Sequence, residues 1–422
     1  MIDHETFAWF AAIDWGTEKH QACVVDVRGG IVGERAFSHD GAGLALLCDW
    51  ILSIAGNATI VAVAVEVPHG PVVDALLDRG LAVYAINPKQ LDRLRDRFSV
   101  SGAKDDRRDA YVAADGLRTD RHLFRRLQIA DPRLIQLREW SRLAEELQQE
   151  RVRLSNRLYS QLWRYYPQML GLSDDLAAGW LLDLWTMAPT PVKAMHLRKT
   201  SVVQLLLKRN RIRRIDAETV LRALRGPAIN VADGVAEAAT IHIGSLVTRL
   251  RIVGRELHDA MRKLDELCAC RDEPSPTAAE HGGSGRHDVK ILKSMPGIGK
   301  IILGILLAEA SGPLSRRDYQ ALRTLSGVAP VTKQSGKSRM VVRRYAAHVR
   351  LRDAVYHWAR VAIQHDPRSH SRYVALRQRG HSHGRAIRGV ADRLLALACT
   401  LLQRQTVFDR DFSRGEKLTA VP

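Results

Sequence analysis

The sequence predicts an α/β amino-terminal domain, a helical and coiled-coil middle, and a mainly α-helical carboxy-terminal domain. Three observations lead there. The runs "FAWFAAIDW", "QACVVDV" and "IVGERAFS" are short and apolar or alternating, with Gly29 and Gly30 between the second and third, as in an antiparallel meander. Strand-like and helix-like runs then alternate to about residue 120. From Asp131 onward, leucines recur in threes, fours and sevens, the spacing of packed helices.

The elements follow in order. After the meander come a helix from Gly41 to Ile54, a buried strand in "TIVAVAVEV", a helix near Pro71 to Arg79, a strand in "LAVYAIN" and helices from Pro88. Three antiparallel strands followed by strand-helix alternation is the order of an RNase H-like fold. Leu137, Leu143, Leu147, Leu154, Leu158 and Leu162 form one helical series, and Leu246, Leu250, Val253, Leu257, Ala260, Leu264 and Leu267 another. They read as two arms of one antiparallel coiled coil or as a dimer seam. "RDEPSPTAAEHGGSGRHD" is the best linker. The expected organisation is an α/β domain over 1–125, a helical coiled-coil region over 126–270, a linker over 271–288, a helical domain over 289–405 and a loose tail over 406–422.

Composition narrows the function. The 422 residues are 46% hydrophobic and 26% charged, as in a globular chain of two or three domains. No apolar run reaches the ~20 residues of a membrane span, and "MIDHETF" lacks a signal sequence, so the expectation is a cytoplasmic, nucleoid-associated protein without membrane contact. Five cysteines without paired C-x-x-C spacing suggest neither a zinc site nor a disulfide framework. The formal net charge is +18. Residues 1–60 hold three Lys/Arg against eight Asp/Glu, whereas residues 290–422 hold twenty-five against eight. An acidic front and a basic back suit an enzyme that holds cations with one end and grips phosphates with the other.

Candidate acids sit at chosen places. "IDWGT" puts Asp14 at the end of the first strand, and "AVAVEVPHG" puts Glu66 at the end of a buried one. A carboxylate closing an apolar strand needs solvent, a partner or a metal. In "KDDRRDA", Asp106 reads as a helix N-cap with Asp109 three residues on, one face of a helix. Asp105 is the runner-up for Asp106, and Asp115 points elsewhere. The set Asp14, Glu66, Asp106 and Asp109 suits two Mg²⁺ (or Mn²⁺) ions in phosphodiester transfer. "IDWGT" also resembles the phosphate loop of actin-like ATPases, but no second glycine-rich loop follows.

Beyond the linker, "MPGIGK" resembles a helix-hairpin-helix turn, with Gly297 and Gly299 allowing close phosphate approach and Lys300 adding charge. A turn that merely lets helices pack closely is the alternative. "GVAP" and "QSGK" read as a turn-rich loop holding Ser335, with Lys337 and Arg339 beside it, followed by a basic helix carrying Arg343, Arg344, Arg350 and Arg352. His381 and His383 read as loop or phosphate-contact residues.

In this order, "IDWGT", "VEVPHG", "AKDDRRDA", a coiled coil, "MPGIGK", "LSGVAP" and "QSGK" resemble the DEDD insertion-sequence transposases, insertion-sequence family one-hundred-ten. The resemblance spans both ends of the chain and leaves residues 170–245 unmatched. It implies a RuvC-like first domain with Asp14, Glu66, Asp106 and Asp109 as a metal-binding tetrad, and a carboxy-terminal transposase domain whose nucleophilic serine matches Ser335. Ser338 is the less favoured neighbour. It further implies a site-specific recombinase acting on double-stranded DNA at element ends and target, a structured guide RNA in some members, and a homo-oligomer of dimers pairing into a tetramer. The rival readings are a RuvC-type metal-dependent nuclease without a covalent intermediate, and a nucleic-acid-binding scaffold.

Overall fold

In the computed structural model, residues 6–98, 105–128, 131–208, 215–232, 234–272, 287–336 and 338–409 are described. The chain divides into two compact units, Met1–Asp131 and Pro132–Pro422.

The first unit is a six-stranded mixed sheet with helices. Its elements are β1 (Trp9–Asp14), β2 (Lys19–Asp26), β3 (Ile31–Ser38), α1 (Gly41–Ala55), β4 (Val61–Val65), α2 (Pro71–Asp78), β5 (Ala82–Ala85), α3 (Pro88–Arg95), α4 (Asp106–Thr119) and β6 (Arg125–Arg126). The sheet order is β3-β2-β1-β4-β5-β6. The first three strands form the expected meander, and β4 and β5 run parallel to β1 and to each other. This mixed α/β arrangement is compatible with an RNase H-like domain.

Side-chain alternation along each strand sorts residues to two faces. Ala11, Ile13, Ala22, Val24, Val63 and Val65 pack with Leu44, Leu47 and Leu76 of α1 and α2. Phe10, Ala12, Cys23, Val25, Ala62 and Ala64 pack with Ala110, Ala113 and Leu117 of α4. The helix start in "KDDRRD" differs from expectation by one residue. Asp105 is the N-cap of α4, its carboxylate accepting from the Arg107 amide at 3.2 Å; Asp106 is the first helical residue instead. A cap needs extended backbone, and Asp105 has it at φ −142°, ψ 124°.

The second unit is helical. It opens with α5 (Pro132–Tyr165), continues through α6 (Gly179–Met187), α7 (Pro191–Met195), α8 (Lys199–Lys208) and α9 (Ala217–Leu224), and returns along α10 (Val235–Asp272). Arg133 reaches the Cys270 carbonyl and Arg249 lies 3.6 Å from Glu150, so α5 and α10 are antiparallel within one chain. All seven apolar residues expected of the second series are buried. In the first series, Leu143 is 42% exposed and the buried stripe runs through Ser141 and Ala144 instead. The continuous leucine series mixed two faces at that point.

The rest comprises α11 (Asp288–Ser294), α12 (Lys300–Glu309), α13 (Ser311–Ser315), α14 (Tyr319–Leu325), β7 (Val331–Ser335), β8 (Ser338–Val342), α15 (Val349–His365), α16 (Pro367–Gln378) and α17 (His383–Arg404). These helices share one buried cluster with α5 and α10. Glu309, 7% exposed, anchors the end of α12 between Arg142 at 3.3 Å, His348 at 3.5 Å and Arg138 at 3.7 Å. Most of the expected linker, residues 273–286, lies outside the described residues, as does the tail from 410. The described start of the tail is tied down, the Phe408 amide donating to Ser294 Oγ at 2.8 Å.

Candidate active site and nucleic-acid interface

Register assembles the first part of the candidate site. Ile13 pairs with Val65 as the last residue pair between β1 and β4, so Asp14, ending β1, and Glu66, the first residue past β4, follow at the same end of neighbouring strands. By alternation with Ala12, Asp14 belongs to the sheet face that α4 covers. The direction of α4 is fixed at its other end. Arg118 donates to the Val27 carbonyl and pairs with Asp115 at 2.6 Å beside the β2–β3 turn, which closes the Trp9–Asp26 end of the sheet. The amino terminus of α4 therefore points toward the Asp14–Glu66 end. Asp109 lies nine residues before Arg118, about 13 Å along a helix; Asp14 lies five steps from Trp9, about 17 Å along a strand. The two levels nearly match.

Asp109 is 2% exposed, and its carboxylate is paired at 2.9 Å with the Arg95 guanidinium of α3, which also reaches Asp92 at 3.3 Å. Arg95 is brought to Asp109 by a separate helix, for which no local signal exists. Asp106 is exposed one turn before Asp109, and Asp14 and Glu66 are half-buried.

The four residues fit a hard divalent cation in chemistry, being carboxylates, and Asp14, Glu66 and Asp109 lie toward one end of the sheet. Their side chains are not gathered around one point: among the described residues, no three His, Cys, Asp or Glu side chains are grouped closely enough to hold an ion. On the opposite face, next to Asp14 in the chain, Trp15 stacks 6.4 Å from His20, whose Nε2 meets His39 Nδ1 at 2.8 Å. Burial, and then His39, push the His20 pKa below its ordinary value.

The second part lies in the other unit. Ser335 ends β7 and faces Ser338 across a two-residue turn, so the expected turn-rich loop is an exposed β-hairpin. Gly336 turns it at φ 53°, in the left-handed region that glycine tolerates. Lys337 lies outside the described residues. Arg339 on β8 pairs in register with Gln334 on β7. Arg343 and Arg344 precede α15 rather than riding on it, because the helix starts only after its His348 cap. Arg343 lies over the Tyr345 ring at 5.5 Å, and Arg344 donates to the Ala329 carbonyl at 3.2 Å. Arg350 and Arg352, which are on α15, are neutralised by Glu145, Glu146 and Asp353.

Arg385 and Arg388 extend the basic set. Burial, and then the positive charges of Arg343 and Arg385, lower the Arg388 pKa, and among the described residues Arg343, Arg385 and Arg388 have no acidic partner. Such a group attracts phosphate. Arg385 and Arg388 stand in "RGHSHGRAIR", where the charge run was the available signal. His383 there accepts or donates at 2.8 Å to the Tyr373 hydroxyl.

The "MPGIG" turn joins α11 to α12. Gly297 has φ 83°, and a Cβ there would sit 2.7 Å from the Ala362 amide nitrogen of α15. Trp358 Nε1 donates to the Pro296 carbonyl at 2.9 Å. Close helix packing therefore accounts for Gly297. Gly299 is exposed at the start of α12, and Lys300 is ion-paired with Asp265.

Comparisons with known proteins fall on the same two regions. A family profile described as "Transposase", of the DEDD type, matches residues 11–167, and a second, "Transposase IS116/IS110/IS902 family", matches residues 289–374. The mini-circle transposase candidate for IS117 of Streptomyces coelicolor is 32% identical over 411 residues, 95% of either chain. The y4uE transposase candidate of Sinorhizobium fredii is 53% identical over 215 residues, which are 50% of this chain and 60% of that protein. The insertion element IS110 protein of Streptomyces coelicolor is 25% identical over the full length of both.

Proposed function

This chain belongs to the IS110 family of DEDD transposases, and from that premise we propose that it exchanges DNA strands through a serine nucleophile supported by the carboxylate set. The observation that carries the proposal is the β1–β4 register, which brings Asp14 and Glu66 to the same end of neighbouring strands, the end toward which α4 carries the buried Asp109. Asp14, Glu66, Asp106 and Asp109 would hold Mg²⁺ or Mn²⁺, which when bound supplies Lewis-acid stabilisation of charge on phosphate oxygens.

The chain's own residues do the rest. The Ser335 hydroxyl attacks a DNA phosphorus, giving up its proton and forming a phosphoserine ester, while the bond to the leaving deoxyribose oxygen breaks and that oxygen takes a proton. The basic group Arg343, Arg385 and Arg388, with Arg339, Lys337 and Arg344, holds the DNA backbone beside the hairpin. Gly299 and Lys300 add a second phosphate contact, with Gly297 serving only to let the turn pack against α15. Substrate choice is delegated to a structured RNA from the element, and the chain works as a dimer pairing into a tetramer, so that acids of one copy meet the serine of another.

One observation favours the rival in which water attacks and no adduct forms. Among the described residues, Ser335 makes no side-chain hydrogen bond that would activate it. The test is to react the full-length protein with DNA spanning an element end and search for a protein–DNA adduct that survives denaturation. The adduct should form with wild type and vanish in Ser335→Ala and Asp14→Ala, both of which should keep DNA binding. Free cleaved ends without any adduct would transfer the assignment to the water-attack nuclease. No helix among the described residues is long and apolar enough to cross a membrane.

A further inference from the structure

The inner face of α5 is consumed by α10, but its outer face changes character halfway along. Before Arg151 the helix carries Glu139, Glu145, Glu146 and Glu150; from Arg151 to Tyr165 it carries four arginines and no acid. Val152, Asn156, Tyr159 and Trp163 form one exposed stripe at helical spacing, and Arg153, Arg157, Ser160 and Arg164 form the adjacent one. Trp163 is 63% exposed and Tyr159 50%. Single exposed apolar residues are ordinary, but two large rings one turn apart, edged by arginines, are not accounted for by packing.

The rings bound a recess. Tyr159, Ser160, Trp163 and Arg164 line a shallow hollow of about 320 Å³, and Tyr159 also borders a cleft of about 460 Å³ reaching Arg151, Asn156 and Asp175. Arg151 is neutralised by Asp175. Arg153 and Arg157 have no acidic partner among the described residues. Exposed π-faces with uncompensated guanidinium groups beside them match a ligand with flat rings and a phosphate backbone. A second copy of this chain would bring the same positive stripe and be repelled.

We propose that the outer face of residues 152–164 binds single-stranded nucleic acid, with unpaired bases stacked on Tyr159 and Trp163 and phosphates on Arg153, Arg157 and Arg164. A duplex hides its base faces, so the surface selects unpaired strands. The assignment rests on this helix alone and stands whether or not the serine chemistry proposed above is correct.

The test is photocrosslinking of the full-length protein to polyuridine RNA, polythymidine DNA and a duplex of equal length, with adducts mapped by mass spectrometry. Both single strands should crosslink within residues 158–164 and the duplex should not; the strand that saturates at lower concentration names RNA or DNA as the source. In Arg153→Gln/Arg157→Gln, half-saturation of that crosslink should rise about tenfold, and its salt slope should fall by roughly 1.4. Trp163→Leu, which keeps the apolar contact but removes the ring, should weaken it about tenfold as well. Circular dichroism should find all variants folded. The proposal is overturned by absence of a crosslink in 158–164, by equal crosslinking of the duplex, or by half-saturation unchanged in the arginine variant. It is also overturned if Trp163→Leu sediments as a smaller species while crosslinking is unchanged, since the face would then join copies of the chain.

Discussion

In the first unit the candidate acids lie where a buried sheet ends, and Asp109 is enclosed and charge-paired; in the second, Ser335 stands at the tip of a hairpin whose strands are exposed almost throughout. The sheet end is built by long-range pairing, since neighbouring strands must be in register before Asp14 and Glu66 adjoin. The hairpin is built locally by a two-residue turn. Changes at the sheet end should therefore cost both stability and activity, whereas changes to the exposed side chains of the hairpin should cost activity with little stability. The predictions that follow test this contrast, beginning with the largest effect.

Asp109→Asn should abolish strand exchange and also destabilise the first unit, because Arg95 is left beside a neutral amide in a largely enclosed site. Breaking a buried pair costs about 3–5 kcal/mol; with Arg95 partly exposed, about 1–3 kcal/mol is expected. Ser335→Ala should abolish exchange equally with no shift in melting. Denaturant titration of both variants checks the contrast, and equal stability of the two would show that the Arg95–Asp109 pair carries nothing.

Gly297→Ala should leave the chemistry's residues in place and be at least as damaging to stability, but in the second unit. Alanine would have to hold φ near 83° with its Cβ against the backbone of α15, a loss of about 2–4 kcal/mol from combined strain and overlap. Gly336→Ala faces open space and should lose only about 1–2 kcal/mol. If both glycines tolerate alanine alike in thermal melts, the close approach of the "MPGIG" turn to α15 is not what fixes Gly297.

Much of the first unit was legible because its signals are local. Apolar runs and alternation gave the strand order, and a charged residue closing such a run marked Asp14 and Glu66. Arg95 was not legible, since nothing within α3 announces that it will meet an acid fourteen residues on. The Asp105 cap was missed by one position because two adjacent aspartates offer the same chemistry, and backbone conformation alone separates them. The hairpin strands are not legible because "VTKQS" and "SRMVV" bury almost nothing, so no apolar alternation marks them. Leu143 misled in the opposite way, being apolar at a nearly correct spacing on an outward face.

That one-residue difference at the start of α4 has its own consequence. Asp105→Ala should cost about 1 kcal/mol as a lost cap, whereas Asp105→Asn should be nearly neutral, since asparagine caps as well as aspartate. Strand exchange should survive Asp105→Asn and fail in Asp109→Asn. Loss of exchange in both would mean that Asp105 acts on the reaction and does not merely start the helix.

The smallest effect concerns pH. His20 is enclosed behind Asp14 on the opposite sheet face, packed with Trp15 and His39, and its pKa lies below 6.5 in the folded state. Below pH 6.5 the unfolded chain binds a proton that the folded chain resists, so the unfolded state holds more protons and stability falls as pH falls. The loss begins near pH 6.5 and continues down to the folded pKa; above pH 6.5 the term is constant. It should appear in the first unit only, so hydrogen exchange of β2 amides at pH 5.5 and 7.5 is the measurement to make. Protection should drop at the lower pH in wild type and drop less in His20→Phe, which cannot titrate. An identical drop in both would mean that the protonated ring is accommodated beside His39 and that the enclosure of His20 carries no pH dependence.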